Sequence, residues 1–250
     1  MLDGLRQAIR YGLDYVSLCL AFQVPRSERK TLWDQLILAA LEDIGPADPL
    51  ALYHVINHDD DDLSLATIVV YLSQSPKTQI NKMAKWNRDY HYQPDIAVHE
   101  ALTSHLKNIT PLTLNMSRFA ITILWASKLH HPIRKETGFR RKAPILIWRT
   151  FDEIFKDDSY YQVIRQYFLE GYSWPWSDKR NILVHFHLLH IYYTGRPVRL
   201  VVLKKEILLR PIIDNLTVCP IPPMVTDWIV DEDHRWDALR QQYRGEPKSA

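Results

Sequence analysis

The sequence predicts a mainly α protein, a compact multi-helix bundle, and three observations carry that prediction. Apolar residues recur at the three-to-four-residue spacing of helices along most of the chain. Glycine is scarce, at 7 of 250 residues, which suits helices better than a turn-rich β protein. Prolines and capping residues fall between the periodic stretches rather than within them.

Taken in order, residues 2–22 place Leu5, Ile9, Leu13, Val16 and Leu20 on one helical face. Pro25 and Ser27 open a second helix, with Leu32, Leu36, Leu38, Ala40 and Leu41 inward, and Gly45-Pro46 ends it. Pro49–Asn57 forms a short third helix, Asp59–Asp62 an acidic loop, and Leu63–Ser73 an apolar core helix. Further helices are expected at Thr78–Tyr90, from Pro94 through Lys107, and from Pro111 to His130. A polar basic loop around Gly138 precedes helices at Pro144–Phe155 and Ser159–Glu170.

The stretch Trp174 to Gly195 holds the central helix, behind an aromatic and proline lead-in. Ser177 or Asp178 offers side-chain oxygens to the free N–H groups of a first turn, and Gly195 with Pro197 stops it. Its apolar residues cover nearly the whole circumference, which marks a buried helix. Residues 197–213 read either as a short β-hairpin or as a helix from Lys204. A last short helix is expected near Asp233–Tyr243. The chain is read as one helical domain, with Asp89–Pro94 the one candidate place for a division between residues 1–90 and 94–250.

Composition is that of an ordinary globular protein, 46% hydrophobic and 24% charged. A net charge of +2 gives no global push toward nucleic acid. Cys19 and Cys219 have no metal or redox spacing, so an intracellular, reducing compartment is expected. The N-terminus lacks the pattern of a signal peptide, and no stretch reaches the ~20 apolar residues of a membrane span. There is no P-loop, dinucleotide fingerprint, nucleophile elbow or cysteine-rich zinc spacing. No cofactor, resident metal or membrane partner is therefore expected.

Within the central helix, Arg180-Asn181-x-x-x-His185 resembles the signature of the HEPN superfamily. The resemblance covers about six residues and the helical context. It implies a metal-independent endoribonuclease in which two motifs meet across a homodimer. It assigns Arg180 to the substrate phosphate, His185 to proton transfer and Asn181 to orienting the pair. The chemistry is coherent. Imidazole titrates near neutrality, and guanidinium presents a fork matched to phosphate. On an ideal helix, however, Arg180 and His185 lie about 140° apart while Arg180 and His187 nearly align. His187 is thus a rival for the catalytic role. The alternative is a capping arginine and a core histidine held by hydrogen bonds.

A second candidate is the basic run of Lys128, Arg134, Lys135, Arg140, Arg141, Lys142 and Arg149, interrupted only by Glu136. With Phe139 and Trp148 it could track a phosphate backbone and stack bases. A solvated loop is the alternative. His54 and His58, spaced i, i+4 before Asp59–Asp62, could hold a divalent cation, or the loop could simply cap the next helix.

Three functions remain open on the sequence. The first is an RNA-directed, HEPN-like nuclease. The second is a non-enzymatic interaction factor that binds a protein partner, a monomer with Arg180 and His185 buried or unrelated and an exposed aromatic or charged patch elsewhere. The third is a helical nucleic-acid-binding or structural protein whose binding weakens steeply with salt.

Overall fold

The computed structural model describes residues 2–78, 96–125, 138–171, 179–195 and 197–204, together with Leu209 and Ile213. Among these residues there are ten α-helices and no strand. They run α1 (Leu2–Tyr11), α2 (Asp14–Phe22), α3 (Arg29–Ala39), α4 (Pro49–Ile56) and α5 (Asp62–Gln74). Then come α6 (Ile96–Asn108), α7 (Leu114–Trp125), α8 (Phe139–Ile154), α9 (Ser159–Arg165) and α10 (Lys179–Thr194). The helices fall into two compact units. One comprises Met1–Ala39, His58–Ser75 and Lys204–Ala250, and the other Ala40–Asn57 and Pro76–Leu203. The Asp89–Pro94 segment lies outside the described residues, as do most of the helix expected at Thr78–Tyr90 and the one near Asp233–Tyr243.

In the first unit, the expected helix over 2–22 is two helices. Gly12, at φ +73°, supplies the left-handed residue that ends α1. Its N–H donates to the Ile9 carbonyl, and the Leu13 N–H donates to the Ala8 carbonyl, the paired bonds of a Schellman stop. A side chain at position 12 would also press on the Ser73 carbonyl, 3.4 Å from where a Cβ would stand. Helix α1 packs on α2, α3 and α5, burying Leu5, Ile9, Leu20, Leu36, Ile68 and Leu72. Asp61 caps α5, accepting hydrogen bonds from the Ser64 N–H at 2.9 Å and the Ser64 hydroxyl at 2.8 Å. Asp62 accepts from Arg26 at 2.9 Å and Arg29 at 2.6 Å. The acidic loop is thus occupied by capping and ion pairing.

The second unit opens with a π-helical turn at Ala40–Ile44 and a 3-10 turn at Gly45–Ala47. Gly45 takes φ +56° and starts the chain toward α4. Helix α10 packs against α7, α8 and both of these turns. Every residue from Asn181 to Leu189 is buried, as its all-round apolar sequence predicts. Helix α6 packs on α7 and α8, and α9 on α4. Helix α8 begins at Phe139, five residues before the proline expected to open it, and Pro144 lies inside it. The residues expected in a basic loop, Arg140, Arg141 and Lys142, are therefore helical. Residues 197–204 carry no regular structure, while Leu209 is in a 3-10 turn and Ile213 is helical. No hairpin strand is present among the described residues of that segment.

Candidate functional site: the core face of the central helix

Helix α10 starts at Lys179, which puts Arg180 in its first turn and Asn181 just behind it. Asn181, His185 and His187 are all buried. His185 is 0% exposed. Its ring meets Trp148 edge-on with centroids 4.8 Å apart, and Phe151 at 5.9 Å, both on α8. Burial alone pushes its pKa down to about 3, so the ring is neutral near pH 7. No hydrogen-bond partner meets either of its nitrogens among the described residues.

His187 is held differently. Its Nε2 lies 2.6 Å from the Tyr160 hydroxyl, and that hydroxyl lies 2.9 Å from the Pro49 carbonyl. One hydroxyl proton cannot serve both contacts. The arrangement that satisfies both has Tyr160 donating to Pro49 and His187 Nε2–H donating to the Tyr160 oxygen. Nδ1 is then the bare nitrogen of a neutral ring. Burial, and to a lesser degree His190, holds His187 at about 3 as well. Burial and two carboxylates, Asp48 and Asp158, push the Tyr160 phenol well above its usual range. It is a neutral hydrogen-bonding hub.

The two histidines therefore point into different parts of the core. Their burial and neutrality suit packing, and a proton-transfer role for either would require α10 to part from its neighbours. Nearby in the same unit, Lys77 is lowered to about 8 by burial, opposed by the charges of Asp43 and Asp48. Asp43 and Glu42 are themselves buried, on the π-helical turn.

The basic run divides. Lys128, Arg134 and Lys135 lie outside the described residues. Arg140 and Arg141 are exposed on the first turn of α8. Lys142 donates to the Leu106 carbonyl and Arg149 to the Ile109 carbonyl, both at 3.2 Å. Those two cations close the C-terminal end of α6, where free carbonyls gather. Phe139 and Trp148, expected as base-stacking partners, are instead 1% and 2% exposed and belong to the core.

His58 stacks on Trp33 with centroids 3.6 Å apart. Among the described residues, no group of three or more His, Cys, Asp or Glu side chains is placed to hold a metal ion. No described helix is long and apolar enough to cross a membrane.

Sequence reasoning missed Tyr160, Lys77 and the buried acids of the π-helical turn. Tyr160 is 27 residues from His187, and no local spacing could have paired them. Of the aromatic residues that flank the motif in sequence, two are exposed at the end of α10. Tyr192 and Tyr193 are 40% and 50% exposed, whereas Phe168 is buried and Tyr172, Trp174 and Trp176 lie outside the described residues. Tyr193 lies under the Arg118 guanidinium, 5.8 Å from its centroid, and Tyr192 meets Phe155 edge-on at 5.8 Å.

Comparison of the chain with family models, curated proteins and solved structures finds no match.

Proposed function

We propose that this protein is a non-enzymatic helical interaction factor that engages a protein partner through the C-terminal end of α10. The observation that carries the reading is the exposure of Tyr192 and Tyr193 at the end of a helix otherwise buried from Asn181 to Leu189. Arg118, Phe155 and the exposed Ile154 extend the patch. Tyrosine and arginine are the types enriched among interface anchors, because they bring large, rigid contact areas with a polar tip.

The nucleic-acid reading receives less support. Arg140 and Arg141 lie in the first turn of α8, and Phe155 follows its last. Over its 16 residues a helix rises about 24 Å. The exposed basic pair and the aromatic patch thus sit at opposite ends of one helix. The HEPN-like nuclease, with its RNA substrate and homodimer, keeps one supporting feature, the place of Arg180 in the first turn of α10. Against it stands the complete burial of His185.

The experiment compares wild type with Tyr192→Ala/Tyr193→Ala, checked for folding by circular dichroism. Immobilised wild type is expected to retain a specific protein that the double variant loses. The same wild-type preparation is expected to leave RNA uncut in EDTA. RNA cleavage by wild type that disappears in folded Arg180→Ala and His185→Ala would overturn the proposal in favour of the nuclease.

A further inference from the structure

We infer that the seam between α8 and α10 binds a water molecule that bridges the Trp148 indole N–H to the His185 imidazole. Trp148 Nε1 is a pure donor, buried, with no acceptor among the described residues. Both nitrogens of His185 are buried and likewise have no partner among the described residues. The two rings are in edge contact, 4.8 Å between centroids with planes at 68°. The residues that bear the unmet groups are therefore in ring contact rather than scattered. Ser117 Oγ on α7, the helix packed against both α8 and α10, is a fourth buried polar atom with no partner among the described residues.

Each such group left unmet destabilises the fold, and folded interiors rarely keep several together. The chemistry narrows the occupant. An indole N–H repels a cation. Phe151 meets the His185 ring, and Leu146, Ile147, Val184 and Leu188, near these residues along α8 and α10, are all buried and apolar, which penalises an anion. A neutral imidazole presents one donor and one acceptor. What fits is a small neutral molecule that both accepts and donates, and water does so with the fewest atoms. Accepting from Trp148 and donating to the bare nitrogen of His185, it would tie α8 to α10. The motif histidine would then serve as a polar anchor for helix packing.

The test uses the full chain labelled with ¹⁵N and water-selective nuclear magnetic cross-relaxation. The Trp148 indole signal is assigned by its loss in Trp148→Phe. In wild type the indole proton is expected to show a cross-peak to a long-lived water, and in His185→Phe that cross-peak is expected to vanish. No cross-peak in wild type overturns the inference, whatever the variants do. A cross-peak that survives in folded His185→Phe overturns the bridge to His185. Should His185→Phe not fold, a wild-type crystal structure decides. A water within hydrogen-bond reach of both Trp148 Nε1 and an imidazole nitrogen supports the bridge, and its absence contradicts it.

Discussion

The hydroxyl of Tyr160 stands between His187 Nε2, at 2.6 Å, and the Pro49 carbonyl, at 2.9 Å, linking α9, α10 and the start of α4 through one oxygen. Tyr160→Phe removes both bonds while keeping the ring. It leaves a buried imidazole N–H unmet, a loss of about 1–3 kcal/mol, while the Pro49 carbonyl keeps its place in the first turn of α4. Urea unfolding is expected to show a lower midpoint with an unchanged slope.

The pH dependence follows from the buried histidines. His185 and His187 are lowered from 6.5 to about 3 in the folded chain. The unfolded chain therefore binds protons that the folded chain refuses. Stability from this source is complete above pH 6.5 and falls as pH drops toward 3. At pH 5 each ring subtracts about 2 kcal/mol. Urea midpoints measured from pH 7.5 to 5 are expected to fall steeply, and replacing either histidine by phenylalanine is expected to flatten the trend.

Much of α10 was legible in sequence. Its apolar residues leave no polar face, so burial follows, and Gly195, at φ +61°, stops it as expected. The break at Gly12 was hidden, because the apolar period continues across it and only the backbone shows the left-handed turn. The start of α8 was misread because proline favours a first turn, yet Pro144 lies within the helix. The place of His187 was unreadable, since Tyr160 and Pro49 reach it only through the tertiary fold.

Helix α6 ends on a residue that pays for its position. Ile109 takes φ +54° where glycine is usual, and the Thr110 N–H donates back to the His105 carbonyl. A β-branched residue in this conformation costs about 1–2 kcal/mol. Its side chain is 48% exposed, so little burial offsets the strain. Ile109→Gly is expected to raise stability by about 0.5–1 kcal/mol, after the entropy glycine adds to the unfolded chain. A thermal melt reads the gain.

Neighbouring aspartates at the start of α5 should respond unequally. Asp61 satisfies a backbone N–H of the first turn, so Asp61→Ala should cost about 1 kcal/mol. Asp62 forms partly exposed ion pairs with Arg26 and Arg29, so Asp62→Asn should cost under about 1 kcal/mol and lose its effect in high salt. Chemical denaturation in urea at low and high salt separates the two.

The most direct test of a structural His185 is the titration of its imidazole in the folded chain, followed by ¹H–¹⁵N correlation spectra of the ring nitrogens. A packed, structural His185 is expected to stay neutral, with signals that do not move between pH 7.5 and pH 5. An imidazole that titrates near neutrality, reporting access to water and protons, would contradict it and return His185 to the catalytic role.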